Sequence, residues 1–298
     1  MKKSFSLALF LIILALIFTL GCLKTNEKTD KNNNIFLWSK MKEGPYHDKI
    51  SFAISTDLFN WTDSGVILAE HASVPGAVYK DGVIYVYFVD VSVDGKPEQI
   101  SLIRSPDNGR TWLPKEHVVF SGLGNKIPVD PAPVLLENGD IRLYYFDINE
   151  ERISQRLDHM NKIYSAISKD GINFVQEKGI RFSKKGVTDP DVVKIDNVWR
   201  MYVGDVMKNK VISAVSSDGL NFTEEGIAYN SGAVPDVFFE NNIYYLYTAG
   251  IDIAISQDGT HFSRTPYKFH SQKGKITADP SIVKLDDGTY IMFYKLSE

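Results

Sequence analysis

Five aspartates that flank prolines are the residues whose type and spacing best suit chemistry in this chain. Asp130, Asp189 and Asp279 each precede a proline, whereas Asp191 and Asp236 each follow one. Carboxyl groups that share one cavity raise one another's pKa, and this can separate a proton donor from a proton acceptor. Two such groups suffice to hydrolyse a glycosidic bond. The pattern therefore predicts a cluster of titratable carboxylates, provided that the fold brings the prolines together.

The prolines belong to a repeat that occurs five times. Each repeat has a proline-led apolar segment, a two-residue turn and an aromatic-rich strand. Asp-Gly and Asn-Gly turns tolerate positive φ angles, so each repeat predicts a β-hairpin. We expect each proline to stand at the first residue of its strand, where its missing N–H is tolerated. The lead prolines are Pro75, Pro131, Pro190, Pro235 and Pro280.

A second motif also occurs five times, as a six-residue strand that ends in serine and runs into a Ser-X-Asp turn. The fullest turn covers residues 105–112 (SPDNGRTW), and shorter ones begin at Ser55, Ser168, Ser216 and Ser256. The turn resembles the Asp-box of sialidase-like propellers. Serine and aspartate side chains can bond nearby backbone N–H groups in a turn. We therefore expect these residues to be structural and to carry no chemistry.

The two motifs are out of phase, and this predicts the fold. The chain begins with a serine strand that lacks its hairpin and ends with a hairpin that lacks its serine strand. Both are explained if N-terminal strands complete the C-terminal blade of a closed ring. We predict an all-β, five-bladed β-propeller over residues 46–298, with four antiparallel strands per blade. The longer second repeat is expected to hold an insertion at residues 149–161.

In such a propeller the residues that flank the prolines form a ring around one mouth of the axial channel. Strand alternation would place the two neighbours of each proline on the same face, and the residue before a proline is normally extended. Three roles stay open for the five aspartates. They bond loop N–H groups or hold water or a cation, they form a catalytic pair, or they bind a ligand without turnover.

Three proline segments resemble those of the five-bladed glycosidases of the arabinanase/β-xylosidase and invertase/levanase types. The segments are Asp279-Pro280-Ser281-Ile282-Val283, Asp189-Pro190-Asp191-Val192 and Val234-Pro235-Asp236-Val237. The resemblance implies that Asp279 or Asp189 is the base or nucleophile. It also implies that Asp130 and Asp236 orient the substrate or tune the pKa of the acid.

The chain departs from this family pattern because no glutamate stands where those enzymes carry a general acid. Glu70, next to His71 before the first inner strand, is the nearest substitute. The catalytic candidates are thus Asp279, Asp189 and Asp130, and the substrate-binding candidates are Asp191, Asp236 and Glu70. No cofactor is implied, although the resemblance leaves open a cation on the axis.

The N-terminus has the pattern of an export signal. Lys2 and Lys3 precede an apolar run to Leu20, and Gly21-Cys22 follow. Gly21-Cys22 resembles a lipobox, which predicts a lipoprotein signal peptide over residues 1–21, lipidation of Cys22 and a flexible tether over residues 22–45. An uncleaved membrane anchor and a buried free thiol are the alternatives.

Composition limits the remaining classes of function. The net charge is −4 and no basic block is present, which argues against nucleic-acid binding. A single cysteine excludes an internal disulfide, and the six histidines lack close spacing. The leading hypothesis is an exported, membrane-anchored propeller that engages extracytoplasmic glycans, as a glycosidase. The alternative is a non-catalytic surface lipoprotein that binds a glycan or a protein.

Overall fold

The structure, a computed structural model, describes residues 37–42, 44–149, 159–272 and 276–297. Its strands form five sheets, and each is one blade of a five-bladed β-propeller, which confirms the predicted fold. Blade I contains β3 (Ala72–Lys80), β4 (Val83–Asp90), β5 (Gln99–Ser105) and β6 (Glu116–His117). Blade III contains β13 (Val187–Ile195), β14 (Val198–Asp205), β15 (Lys210–Ser216) and β16 (Thr223–Tyr229). Blade IV contains β17 (Asp236–Glu240), β18 (Ile243–Tyr247), β19 (Asp252–Ser256) and β20 (Ser263–Lys268).

Blade V closes the ring as the sequence predicts. It contains β21 (Ile276–Lys284) and β22 (Tyr290–Ser297) from the C-terminus, then β1 (Lys49–Ser55) and β2 (Thr62–Glu70) from the N-terminal side. The antiparallel β1–β22 pairing runs from Lys49 opposite Leu296 to Ser55 opposite Tyr290. Hydrogen bonds between β1 and β22 therefore join the two ends of the domain and close the ring of blades.

Blade II departs from the expected four strands. It contains β7 (Val119–Ser121), β8 (Pro128–Leu135), β9 (Ile141–Asp147), β10 (Met160–Ser168), β11 (Asn173–Gln176) and β12 (Phe182–Lys185). The outer edge of β10 pairs with both β11 and β12, so two short strands share the fourth position. β7 then adds a parallel pairing on β11. Residues 150–158 of the expected insertion lie outside the described residues.

The segment before β1 packs on the propeller, so the expected tether ends earlier than residue 45. Trp38 is 5% exposed, and its indole Nε1 donates to the Lys96 carbonyl at 2.8 Å. The chain turns apolar at Ile35, and this ends the polar composition on which the tether was predicted. Short 3-10 helices cover Trp38–Lys40, Pro45–His47 and Val206–Lys208. No helix within the described ranges has the length and apolar character that crossing a membrane requires.

Tyrosines on the second strands fasten each blade to a Ser-X-Asp turn of the next blade. The hydroxyl of Tyr87 donates to the Gly171 carbonyl at 2.8 Å. Tyr144, Tyr202 and Tyr247 donate in the same way to Gly219, Gly259 and Leu58 at 2.7, 2.8 and 2.7 Å. In blade V the corresponding residue is Phe293, whose ring packs edge-on against Trp112 at 5.8 Å. The hairpin and the Ser-X-Asp turn recur together in the sequence because a residue of each hairpin contacts the turn of the neighbouring blade.

The Ser-X-Asp turns are held as expected for structural elements. In the turn after β10, the Gly171 N–H donates to Ser168 Oγ at 2.9 Å, and the Asn173 N–H donates to Asp170 Oδ1 at 2.8 Å. Hydrogen bonds from the backbone N–H and the side chain of Asn173 are the main cause of a lowered pKa at the Asp170 carboxyl. The turns after β1, β5, β15 and β19 use the same serine and aspartate acceptors.

Candidate functional site

The five inner strands β3, β8, β13, β17 and β21 surround an axial cavity of about 180 Å³. All five of the predicted aspartates line this cavity, as Asp130, Asp189, Asp191, Asp236 and Asp279. Val74 and Val234 occupy the positions before the other two lead prolines and add apolar wall. The ring arrangement inferred from the repeats therefore does bring the carboxyl groups to one place.

Glu70 does not belong to this site. It is the last residue of β2, the outermost strand of blade V. Its side chain is 62% exposed, and its carboxylate lies 3.8 Å from the Lys49 ammonium. The residue lies only two positions before the inner strand β3, but its side chain pairs with Lys49 of β1 and does not line the cavity. No glutamate is among the described residues that line the cavity.

The expected position of the lead prolines at the first residue of their strands is wrong, because in four blades the proline lies inside the strand. Pro75 is the fourth residue of β3, and the pairing with β4 shifts register between Ser73 and Gly76. β8, β13 and β21 show the same irregularity. Proline lacks the N–H that a regular ladder needs, and a bulge accommodates it. Only in blade IV does the strand start after its proline.

The residue before each proline is left-handed and not extended, which corrects the expected conformation. Its φ angle is +48° at Val74, +52° at Asp130, +50° at Asp189, +56° at Val234 and +51° at Asp279. This region is costly for a side chain branched at Cβ, such as valine. The repeat of one strained conformation in all five blades marks the mouth of the cavity, where it interrupts simple strand alternation.

The residues after the prolines join neighbouring inner strands. Asp191 Oδ2 in blade III accepts from the Val237 N–H of blade IV at 2.8 Å. Asp236 in turn accepts from the backbone N–H of Ile282 and from the Ser281 hydroxyl in blade V. Ser281 Oγ accepts from the Ala77 N–H of blade I at 2.9 Å. Asp191 and Asp236 thus each accept a hydrogen bond from the next inner strand.

Between blades I and II, close packing of the two inner strands takes the place of such side-chain hydrogen bonds. Gly76 follows the first proline, and a Cβ atom at this residue would lie 1.8 Å from the Pro131 carbonyl oxygen of blade II. The two inner strands therefore approach too closely for any side chain. Ala132 follows the second proline and likewise carries no polar group that could bridge to blade III.

Burial raises the pKa of two of the carboxyl groups, those of Asp191 and Asp236. Desolvation raises the pKa of Asp191 to about 7, although the N–H groups of Val237 and Val192 oppose the shift. Desolvation also raises the pKa of Asp236 well above its ordinary value, and the neighbouring Asp191 charge adds to this. The like-charge effect expected from the sequence is present, but burial is the larger cause.

Asp130 and Asp189 are half-buried residues on adjacent blades at the mouth. The Asp189 N–H points to Asp130 Oδ2 at 3.4 Å, and the Thr188 hydroxyl donates to Asp189 Oδ2 at 2.6 Å. Both residues line the cavity and retain exposed surface. Of the five aspartates, these two and Asp191 are the more accessible to a ligand.

Asp279 is paired with a lysine that sequence reasoning missed. The Lys295 ammonium lies 2.7 Å from Asp279 Oδ2, and the two side chains are 18% and 6% exposed. Lys295 stands in β22, opposite Ala278 of β21. One signal could have revealed it, because a lysine interrupts the apolar run of β22, Tyr290–Leu296 (YIMFYKL).

The carboxylates do not fit an axial metal ion. Within the described ranges, no group of three or more histidine, cysteine, aspartate or glutamate residues has the geometry to hold one. Asp191 accepts from a backbone N–H, and Asp279 faces an ammonium group. Both partners are donors that compete with a cation for the carboxylate oxygens, so we derive no step through a metal.

The axial cavity is small for a ligand pocket. Its volume lies below the about 300–1,000 Å³ that pockets for drug-sized ligands occupy. Its wall combines a carboxyl group that burial keeps easy to protonate with carboxylates that are accessible or ion-paired. A proton donor and a proton acceptor on one wall are the minimum for acid–base chemistry on a sugar.

Comparison with known proteins identifies the fold and no closer relation. No protein-family model and no curated protein matches the sequence. Among solved structures, the GH32 β-fructofuranosidase of Bombyx mori superposes with a TM-score of 0.56 at 16% identity. The match covers 84% of this chain and 57% of that enzyme, so the chain spans little more than half of its length.

Two other solved structures are matched over more of their length. The GH43_1 enzyme of Xanthomonas citri complexed with xylotriose has a TM-score of 0.56 at 16% identity, over 76% of this chain and 87% of that one. The endo-1,4-β-xylanase of Bacteroides thetaiotaomicron has a TM-score of 0.58 at 16% identity, over 74% and 82%. The chain therefore shares the five-bladed propeller of glycosidases.

Proposed function

We propose that this protein is an exported, lipid-anchored propeller that takes the end of a glycan into its axial cavity and hydrolyses the terminal glycosidic bond. The observation that carries the proposal is the convergence of five aspartates on one cavity in which burial raises the pKa of two, Asp191 and Asp236. The glycosidase fold of the structural neighbours, one of which was solved with xylotriose, supports the class of substrate.

Each carboxyl group has a role in this proposal. Asp191 is the general acid, because a pKa of about 7 leaves it protonated for part of the time at neutral pH. Asp279, as the carboxylate paired with Lys295, is the base or nucleophile. Asp189 is the alternative base, and Asp130 beside it orients the sugar. Asp236 bonds blade V and supports Asp191 from the neighbouring blade.

A second candidate function is glycan binding without hydrolysis. One observation favours it, because aspartates of the cavity wall already hold partners within the protein. Asp191 and Asp236 bond the next inner strand, and Asp279 bonds Lys295. Asp130 and Asp189 would then bind sugar hydroxyls without supplying a proton donor. The absence of glutamate from the described cavity wall agrees with this alternative.

Turnover separates the two candidates. The domain from residue 37 onward should be assayed against aryl xylosides, arabinosides and fructosides, and against the corresponding oligosaccharides. We expect hydrolysis that is lost in Asp191→Asn and Asp279→Asn. Asp81→Asn, in the solvent-exposed β3–β4 turn, is the matched control and should keep full activity. Saturable binding without turnover would select the second candidate, and neither binding nor turnover would contradict both.

Export and anchoring rest on the N-terminal pattern, which lies outside the described residues. Radiolabelled palmitate should be incorporated into the full-length chain when it is expressed in a bacterial host, and Cys22→Ser should abolish this. Cys22→Ser should also leave the precursor unprocessed. Label that persists in Cys22→Ser would contradict lipidation at this residue, whatever the result of the sugar assays.

A further inference from the structure

We propose that the Lys295 ammonium is the built-in counter-cation of the axial carboxylates and that Lys295 is thereby a positioning residue, which fixes Asp279 against the blade V wall of the cavity. The catalytic consequence of this role rests on the proposed function. The ion pair itself does not, and it can be tested without any substrate.

The geometry around Asp279 carries the proposal. Lys295 and Ala278 are opposite each other across β22 and β21, so the lysine stands beside the residue that precedes Asp279. A separation of 2.7 Å is that of a close ion pair. Because both side chains are largely buried, removing either partner would leave an uncompensated charge, which costs far more than breaking a surface ion pair.

Three parts of the chain bring carboxylates to this one ammonium. Asp279 comes from β21 in blade V, Asp48 from the segment before β1, and Asp189 from β13 in blade III. Burial opposes the charge on the lysine, but these three carboxylates outweigh it and raise the pKa of Lys295 far above its ordinary value. The charges of these carboxylates keep the lysine protonated, and the cation is therefore retained throughout the neutral range.

Asp48 acts on the ammonium through its charge and is itself held by hydrogen bonds. Its carboxylate accepts from the Ser73 hydroxyl at 3.0 Å and from the hydroxyl of Ser297. Ser73 begins blade I and Ser297 ends blade V. The same residue that ties the two ends of the ring thus also interacts with Lys295, so the position of Asp279 depends on closure of the ring.

The lysine explains why the axial carboxylates do not fit a metal ion. The left-handed pre-proline conformation gathers Asp189 and Asp279 at one mouth, where their charges repel each other. An ammonium that interacts with both reduces this repulsion from within the chain. The sequence left open a cation on the axis, and in this proposal the Lys295 ammonium is that cation.

Chemical rescue tests the proposal directly. Lys295→Ala removes the ammonium and leaves space for a small amine, so ethylammonium chloride should restore the cation. We expect the unfolding midpoint of Lys295→Ala at pH 7 to fall below that of the wild type. It should then rise more in ethylammonium chloride than in sodium chloride at the same ionic strength. Lys295→Arg should retain most of the wild-type midpoint.

Lys208→Ala is the matched control, because Lys208 lies 2.8 Å from Asp205 in an ion pair whose lysine is 65% exposed. It should show neither the large drop nor the specific rescue. A double-mutant cycle of Lys295→Met with Asp279→Asn gives the second measurement. The neutral pair should unfold at a higher midpoint than Lys295→Met alone, because the unpaired carboxylate is removed.

Equal responses of Lys295→Ala to the two salts, or additive effects in the cycle, would overturn the proposal. These measurements do not depend on turnover, so their outcome stands apart from that of the proposed function. Where a glycoside is hydrolysed, Lys295→Met should lower kcat more than it changes KM, and Lys295→Arg should recover kcat. A lysine that only stabilised the fold would leave both constants unchanged in the folded variant.

Discussion

The Asp191 carboxylate of blade III and the Val237 backbone N–H of blade IV are joined by a 2.8 Å hydrogen bond at the axis of the propeller. This carboxyl group also lines the cavity, so one residue both joins two blades and faces the ligand site. Its burial raises its pKa to about 7, and the pH dependence of stability and of activity should therefore both report on it.

Stability should fall as pH rises from about 4 to about 7. The folded state binds the Asp191 proton more tightly than the unfolded state does, so its contribution is fully present below the unfolded pKa of 3.8 and is lost through the folded pKa of about 7. The total is at most about 4 kcal/mol. Asp191→Asn keeps an oxygen acceptor for Val237 and should flatten this part of the curve. Urea unfolding across the pH range measures it, and an unchanged slope would contradict the assignment.

Loss of one tyrosine hydroxyl should cost a buried hydrogen bond. Tyr202→Phe leaves the Gly259 carbonyl without its donor between blades III and IV. We expect a loss of about 1–2 kcal/mol in the free energy of unfolding. Tyr267 is an exposed tyrosine on β20 and serves as the control. If Tyr202→Phe were no more harmful than Tyr267→Phe, the tyrosines would not fasten the blades.

Gly76→Ala should be among the most harmful single-methyl additions in the protein. The added Cβ would overlap the Pro131 carbonyl oxygen, which belongs to the backbone and cannot rotate away. Overpacking typically costs about 1–3 kcal/mol, and we expect the upper end or more. Ala132→Ser changes a residue after the next proline by one atom and is the comparison. Thermal unfolding distinguishes them, and equal midpoints would argue against close contact of blades I and II.

Any hydrolysis that uses Asp191 as the acid should decline above about pH 7. The protonated form is the active one, and it disappears as pH passes the pKa of the group. A pH profile of kcat/KM on the best substrate of the panel should show this limb. Asp191→Asn should remove it together with most of the activity, whereas Asp236→Asn should shift it. A profile that rises through pH 8 would assign the acid to another residue.

The fold was predictable because the repeats fix positions along each strand. The spacing from proline to hairpin turn and from serine to aspartate is local, and five copies out of phase left one way to close the ring. The aspartates share one cavity for the same reason, since each stands beside an equivalent proline. Sequence spacing alone was enough to predict that Asp130 and Asp279 line the same cavity.

Contacts between strands were beyond such reasoning. Lys295 meets Asp279 through the register of β22 on β21, which no spacing within either strand reveals. The left-handed residue before each proline follows from a bulge that depends on the paired strand. Glu70 is near the inner strand β3 in sequence, but its exposed side chain pairs with Lys49 and does not line the cavity.

The most direct test of the account is saturation-transfer-difference NMR of the domain with xylose, arabinose, fructose and their disaccharides. Both candidate functions require a sugar in the axial cavity, so we predict transfer to at least one of these sugars. The transfer should be lost in the Asp130→Asn/Asp189→Asn double variant and retained in Asp81→Asn. No transfer to any of the sugars, or equal transfer in all three proteins, would show that the axial carboxylates do not bind these glycans.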